Sequence, residues 1–172
     1  MATLHHNISG EITQELLEAG DGVRVSKISL TNTHFSSNCT VDLYIEKKLT
    51  GIFYLLKAVE LPVGATLIYD DMKFSNIAEE FGLYIKLTDG DAFTLTGSID
   101  PTGTNTTVPG TGTLFLSELS IGDEIVVSGE TRIIDSITSD TVATVSVAWG
   151  SNLVNDATPD CNPTALVDVI IN

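Results

Sequence analysis

The chain has 172 residues, with 23 Asp and Glu against 8 Lys and Arg, a formal net charge of −15 at pH 7. A surface with that balance repels phosphate, which excludes nucleic-acid binding by counterion release and disfavours anionic membranes. Hydrophobic residues make up 42%, enough for a folded core, with no apolar run of transmembrane length and no basic or apolar leader in the opening MATLHH.

Serine and threonine total 36 residues. Mixed with Val and Ile they suit pleated, half-buried surfaces, so the composition leans to all-β. Residues 11–19 (EITQELLEA) carry Ile12, Leu16 and Ala19 at helical spacing, with Gly20 placed as a C-cap, yet are read as an edge strand. Val23 and Val25 alternate and then Ile28 and Leu30, with a phase slip at Lys27 that reads as a β-bulge. Val41, Leu43 and Ile45 point one way, and Asp42, Tyr44 and Glu46 the other. Residues 52–61 are apolar on both faces and are expected between layers. Residues 61–64 (LPVG) form a turn, and residues 66–69 a short strand. Residues 75–81 read as one helical turn, capped by Ser75 or Asn76. Leu83, Ile85 and Leu87 alternate again and end in a turn at residues 88–91 (TDGD).

The composition then breaks. Residues 100–112 and 150–163 hold four of the five prolines, Pro101, Pro109, Pro159 and Pro163. Between them, residues 113–119, 125–127, 132–137 and 142–149 are short β segments joined by tight turns, the pattern of a small SH3-like barrel. Residues 165–171 (ALVDVII) form one last strand. Its backbone demands partners that a finished barrel cannot supply, so it is expected to return to the first sheet. The expected organisation is an antiparallel, jelly-roll-like β-sandwich of residues 1–90 plus 164–172. Residues 91–163 are an inserted barrel lobe, whose leading strand is 92–99. The net charges are −5 for residues 1–90, −9 for 91–163 and −1 for 164–172. The lobe is therefore a near-pure polyanion, with Arg132 as its one base.

No motif announces a reaction. His5 and His6 are adjacent near the N-terminus, and His34 lies near Ser36, Ser37 and Cys39 without a nucleophile elbow. Cys39 and Cys161 have no zinc spacing and allow one disulfide. Asp70–Asp71 and Asp89–Asp91 could offer oxygens to calcium, but neither approaches an EF-hand loop, and turn chemistry accounts for Asp-Gly. Gly110 and Gly112 lack the rest of a phosphate-binding loop. No catalytic residue, cofactor or metal ligand is assigned.

The segments 25–32 (VSKISLTN), 41–45 (VDLYI), 54–56 (YLL), 60–67 (ELPVGATL), 82–87 (GLYIKL) and 166–170 (LVDVI) together resemble small β-sandwich virion proteins of tailed bacteriophages. The family pattern closes on Ser, where this chain has Ile171 and Asn172. Residues 107–125 (TVPGTGTLFLSELSIGDEI) resemble a small β module of phage structural and tail-fibre proteins. The resemblance implies a non-enzymatic virion protein assembled in the host cytoplasm. Capsid decoration, or cement, is the leading role, with the major capsid protein as partner. It also implies a homo-oligomer, a trimer by analogy with symmetric lattices, and free thiols in a reducing cytosol. A neck or tail accessory protein, a fibre adaptor and a carbohydrate- or receptor-binding module remain open. Candidate contact residues are Ile52, Phe53, Tyr54, Leu55 and Leu56, with Val167, Val169 and Ile171 in the last strand; ordinary core packing is the competing assignment.

Overall fold

A computed structural model describes residues 3–47, 50–70, 72, 74–75, 81–150 and 159–172. The chain forms two compact units: Met1–His34 with Asn38–Asp89 and Ala165–Asn172, and Phe35–Ser37 with Gly90–Thr164. The first unit begins with β1 (Leu4–Ser9), β2 (Thr13–Leu17), β3 (Arg24–Val25), β4 (Ile28–Asn32) and β5 (Cys39–Lys47). It continues through β6 (Gly51–Leu61), β7 (Thr66–Tyr69), β8 (Phe74–Ser75) and β9 (Phe81–Thr88). The second unit holds β10 (Phe93–Thr94), β11 (Ser98–Ile99), β12 (Thr107–Thr111), helix α1 (Phe115–Glu118), β13 (Glu124–Val127), β14 (Glu130–Ser139), β15 (Val142–Val145) and β16 (Asp160–Asn162). The last strand, β17 (Leu166–Ile171), belongs to the first unit.

In the first unit two four-stranded antiparallel sheets, ordered β1-β17-β4-β7 and β2-β9-β5-β6, enclose one core as a β-sandwich. Alternation does the work. Ile28 and Leu30, Val41 and Leu43, Leu83, Ile85 and Leu87, and Val167, Val169 and Ile171 all turn inward. β17 lies inside its sheet, paired with β1 on one side and β4 on the other, so its backbone groups are satisfied on both flanks. The slip at Lys27 is a bulge: the amides of Ser26 and Lys27 both donate to the Asn172 carbonyl, at 2.7 and 3.1 Å. Asn32 ends β4 fully buried; its side-chain amide donates to the Leu61 carbonyl (2.9 Å) and its oxygen accepts the His34 amide (2.9 Å). Residues 11–19 contain the edge strand β2, and residues 61–65 turn with the Ala65 amide on the Pro62 carbonyl at 3.0 Å.

Two expectations change here. β6 does not run between layers. Among the described residues it ends its sheet with β5 as its only strand neighbour, and most of it is exposed. Residues 88–91 form no hairpin turn, because this is where the chain leaves the first unit. Asp89 accepts the Ala165 amide at 2.7 Å, closing the two crossing points together. Of the helical turn expected at 75–81, Ser75 closes β8 and Phe81 opens β9, and residues 76–80 lie outside the described residues, as do Asp71 and residues 151–158 of the second linker.

The second unit is one antiparallel sheet ordered β10-β16-β13-β14-β15-β12-β11. Among the described residues no sheet closes into a barrel, so the SH3-like expectation is not met. β10 and β11 sit at opposite edges although residues 95–97 alone separate them. Four Cα steps span at most about 15 Å, whereas flat strands would place the edges about 29 Å apart. The sheet therefore curls strongly, but the hydrogen bonds of closure are missing between those edges. Gly97 breaks the expected 92–99 strand with φ +81°, and a Cβ there would lie 2.6 Å from the Thr111 and Gly112 backbone. Residues 113–119 fold around α1 rather than as a strand, because Phe115 and Leu119 are four apart, both buried, with the Leu119 amide on the Phe115 carbonyl. Ser128 (φ 48°) and Gly129 (φ 83°) form the tight β13–β14 hairpin. The wholly buried carboxylate of Asp123 holds this unit's return, accepting the Ser120 and Thr164 amides at 2.8 Å each.

Candidate functional site

The polar residues first considered for chemistry are structurally committed or separated. His5 and His6 are successive residues of β1, so their side chains point to opposite faces and cannot share an ion. His34 is buried, and Ser36 donates its hydroxyl to the Glu118 carbonyl at 2.6 Å. Cys39 and Cys161 are free thiols buried in the cores of the first and second units respectively. Burial, followed by the charge of Asp89, pushes the Cys39 thiol up to about 11. Burial, then the charge and hydrogen bond of Asp123, pushes the Cys161 thiol up as well. Thiols held protonated this firmly are poor nucleophiles and metal ligands. Among the described residues no three His, Cys, Asp or Glu side chains are grouped to hold a metal ion, and no helix is long and apolar enough to cross a membrane.

The apolar candidates separate cleanly. Val167, Val169 and Ile171 are 0–1% exposed in the middle of the sandwich, which leaves them no surface to offer a partner. Ile52, Phe53 and Tyr54 are 48%, 46% and 45% exposed, while Leu55 and Leu56 are half-buried against the core. The exposed trio lies in the regular part of β6, with Ile52 opposite Glu46, Phe53 opposite Ile45 and Tyr54 opposite Tyr44. Beyond Tyr54 the ladder slips twice, first at Leu55 and again between Leu56 and Val59. At the second slip Ala58 takes φ 50° and its amide donates to the Asp42 carboxylate at 2.6 Å. Bulges and a lysine are common protections of an edge. Here they interrupt the middle of β6 and leave Ile52–Tyr54 in regular register.

On the outer face of this sheet a row crosses all four strands. Glu15, Tyr84, Tyr44 and Tyr54 are successive cross-strand partners. The Tyr84 hydroxyl donates to Glu15 at 2.8 Å. Tyr44 stacks on Tyr84 (5.6 Å, 13°) and meets Tyr54 at a tilt (5.6 Å, 55°), and the Lys57 ammonium sits 4.3 Å over the Tyr54 ring. Such pairs each add roughly 0.5–1.5 kcal/mol beyond area burial, so the row stiffens the sheet right up to its exposed edge. That hydrogen bond to Glu15, with burial second, pushes the Tyr84 hydroxyl up to about 12. Next to the row a cavity of about 350 Å³ is lined by Glu15, Glu18, Glu46, Phe81 and Tyr84. The outward alternation of Tyr44 was legible, but its alignment with Tyr54 and Tyr84 depends on register. In the second unit Phe35, Ile121 and Val147, none of which sequence reasoning singled out, are also exposed.

No protein family, curated protein or solved structure was found that matches this chain.

Proposed function

We propose that this chain is a non-enzymatic structural protein of a tailed-bacteriophage virion, a capsid decoration protein whose partner is the major capsid protein. The observation that carries the reading is the regular, exposed apolar edge of β6, Ile52–Tyr54, presented by a rigid aromatic row. An edge of this kind associates by strand addition, between copies arrayed on the shell or with the capsid lattice: backbone groups give affinity and alternate side chains give specificity. The strand order supports the same reading. Counting only the eight principal strands of the first unit, the sheets run 1-8-3-6 and 2-7-4-5, a jelly-roll order, and that architecture recurs in viral capsid and lectin domains. The acidic second unit faces solvent in this reading and keeps the particle soluble.

The test uses the purified full chain with heads and tails prepared separately from the phage whose genome encodes it. Saturable co-sedimentation with heads, at a fixed ratio to the capsid protein, is the expected result. Retention on tails alone would reassign the chain to a neck or tail role, and retention on neither would overturn the virion reading.

A further inference from the structure

We infer that β6 of one copy pairs with β2 of a second copy, joining copies head to tail through a continuous sheet. This deepens the reading of β6 as an association edge by naming its occupant. The first argument is topological. β2 and β6 are the two ends of the sheet β2-β9-β5-β6, whose neighbours are all antiparallel. With four strands, β2 and β6 run in opposite directions. A second copy added in the same orientation therefore sets its β2 antiparallel to the first copy's β6, and the alternation continues unbroken.

The second argument is charge. Residues 11–21 contain Glu11, Glu15, Glu18 and Asp21 and no base, whereas β6 carries Lys57 at its second slip and Glu60 beyond it, with Lys47 closing β5 next to Gly51. One end of the sheet is anionic, while the Gly51–Lys57 stretch of the other, beside Lys47, is positive within a chain of net charge −15. A two-fold contact of β6 with β6 would set lysines against lysines; β6 on β2 sets them against glutamates. The third argument is the face. Side chains must keep their side of the sheet, so Tyr54 of one copy meets an outer-face residue of β2 such as Glu15. The aromatic row then runs on into the next copy, with Lys57 beside a carboxylate. Ile12, 42% exposed at the start of this edge, adds an apolar contact.

The contact is small. Three side chains about half exposed offer roughly 300 Å² per copy, well under the about 1,200 Å² total of a stable interface, so it forms at high protein concentration or on a lattice. Being heterologous, it builds rings or filaments rather than closed pairs.

Sedimentation equilibrium of the full chain from about 10 µM to 1 mM tests this. The average mass is expected to rise above that of the monomer. Lys47→Glu with Lys57→Glu, and separately Glu11→Lys with Glu18→Lys, each weaken self-association at least tenfold. An equimolar mixture of the two recovers it, because the acidified β6 edge now meets a basic β2 edge. A wild-type chain that stays monomeric, a β2 variant that associates like wild type, or a mixture of well-folded variants that fails to recover overturns the inference. A second measurement needs no variant. Zero-length cross-linking of mixed isotope-labelled and unlabelled protein should join Lys57 to Glu11 or Glu15 of another copy, and inter-copy links confined to other acids overturn it. Binding to heads by a strictly monomeric chain would sink this inference alone; self-association without binding to heads or tails would sink the virion reading alone.

Discussion

Ala58 holds a left-handed backbone, φ 50°, at the second slip of β6, with its amide tied to Asp42. That conformation costs a residue with a Cβ roughly 1–2 kcal/mol, and glycine would return about 0.5–1 kcal/mol of that through the greater freedom of its unfolded chain. Ala58→Gly is therefore expected to stabilise the protein by about 0.5–1 kcal/mol, read as a higher urea midpoint at unchanged slope. Cys39 makes a pH argument at the same scale. Its thiol ionises at an ordinary value of 9.0 when unfolded and near 11 when folded. The raised native value favours the folded state fully below pH 9, and that contribution is lost as pH rises through 11. The loss is at most about 2–3 kcal/mol, from two units at about 1.4 kcal/mol each. Tyr84 shifts in the same direction at higher pH, so the check is a difference. The stability gap between wild type and Cys39→Ala should shrink between pH 9 and 11; a gap constant with pH would contradict the assignment.

At the scale of elements, β6 and β17 had equal standing as apolar runs, and their packing separates them. Ile171→Ala empties a filled core site and should cost about 2–5 kcal/mol. Ile52→Ala removes an already half-wet side chain on an edge and should cost under about 1 kcal/mol. Chemical denaturation of the two variants side by side checks this, and similar losses would mean β6 is covered after all. The contrast also marks what the sequence can carry. Strict alternation in β4, β9 and β17 reports one buried face, and those faces are the ones the core uses. A run apolar on both faces reports only that water is disfavoured on both. It cannot separate burial between layers from an edge awaiting a partner, so Ile52–Tyr54 were legible as contact candidates through their composition and not through their position. The Phe115 and Leu119 spacing is one turn long, too short to outvote the β pattern around it. Barrel closure was out of reach for a different reason. It depends on whether two distant edges share hydrogen bonds, and no local pattern encodes that.

At the scale of the whole molecule, the second unit is an insertion closed at its base. The first unit's chain leaves at Asp89 and resumes at Ala165, whose amide donates to the Asp89 carboxylate at 2.7 Å. β17 then enters its sheet between β1 and β4, strands from before the insertion, so the sandwich is complete only once the chain has returned. Two ends held in contact can be joined by a short flexible link at little entropic cost, since loop closure grows only slowly with length. Replacing residues 90–164 with a short Gly-Ser linker should therefore leave a folded sandwich. What it loses is the anchoring of residues 35–37, which bond to Ser120 and Glu118 in the second unit. The shortened chain is expected to keep a cooperative thermal transition and a dispersed amide spectrum, with its net charge falling from −15 to about −6 once the nine net negative charges of the insertion are removed. If β17 instead needs the second unit to find its place, the shortened chain will show β17 amides that exchange as freely as an unfolded tail, and the insertion would have to be counted as part of the sandwich's folding.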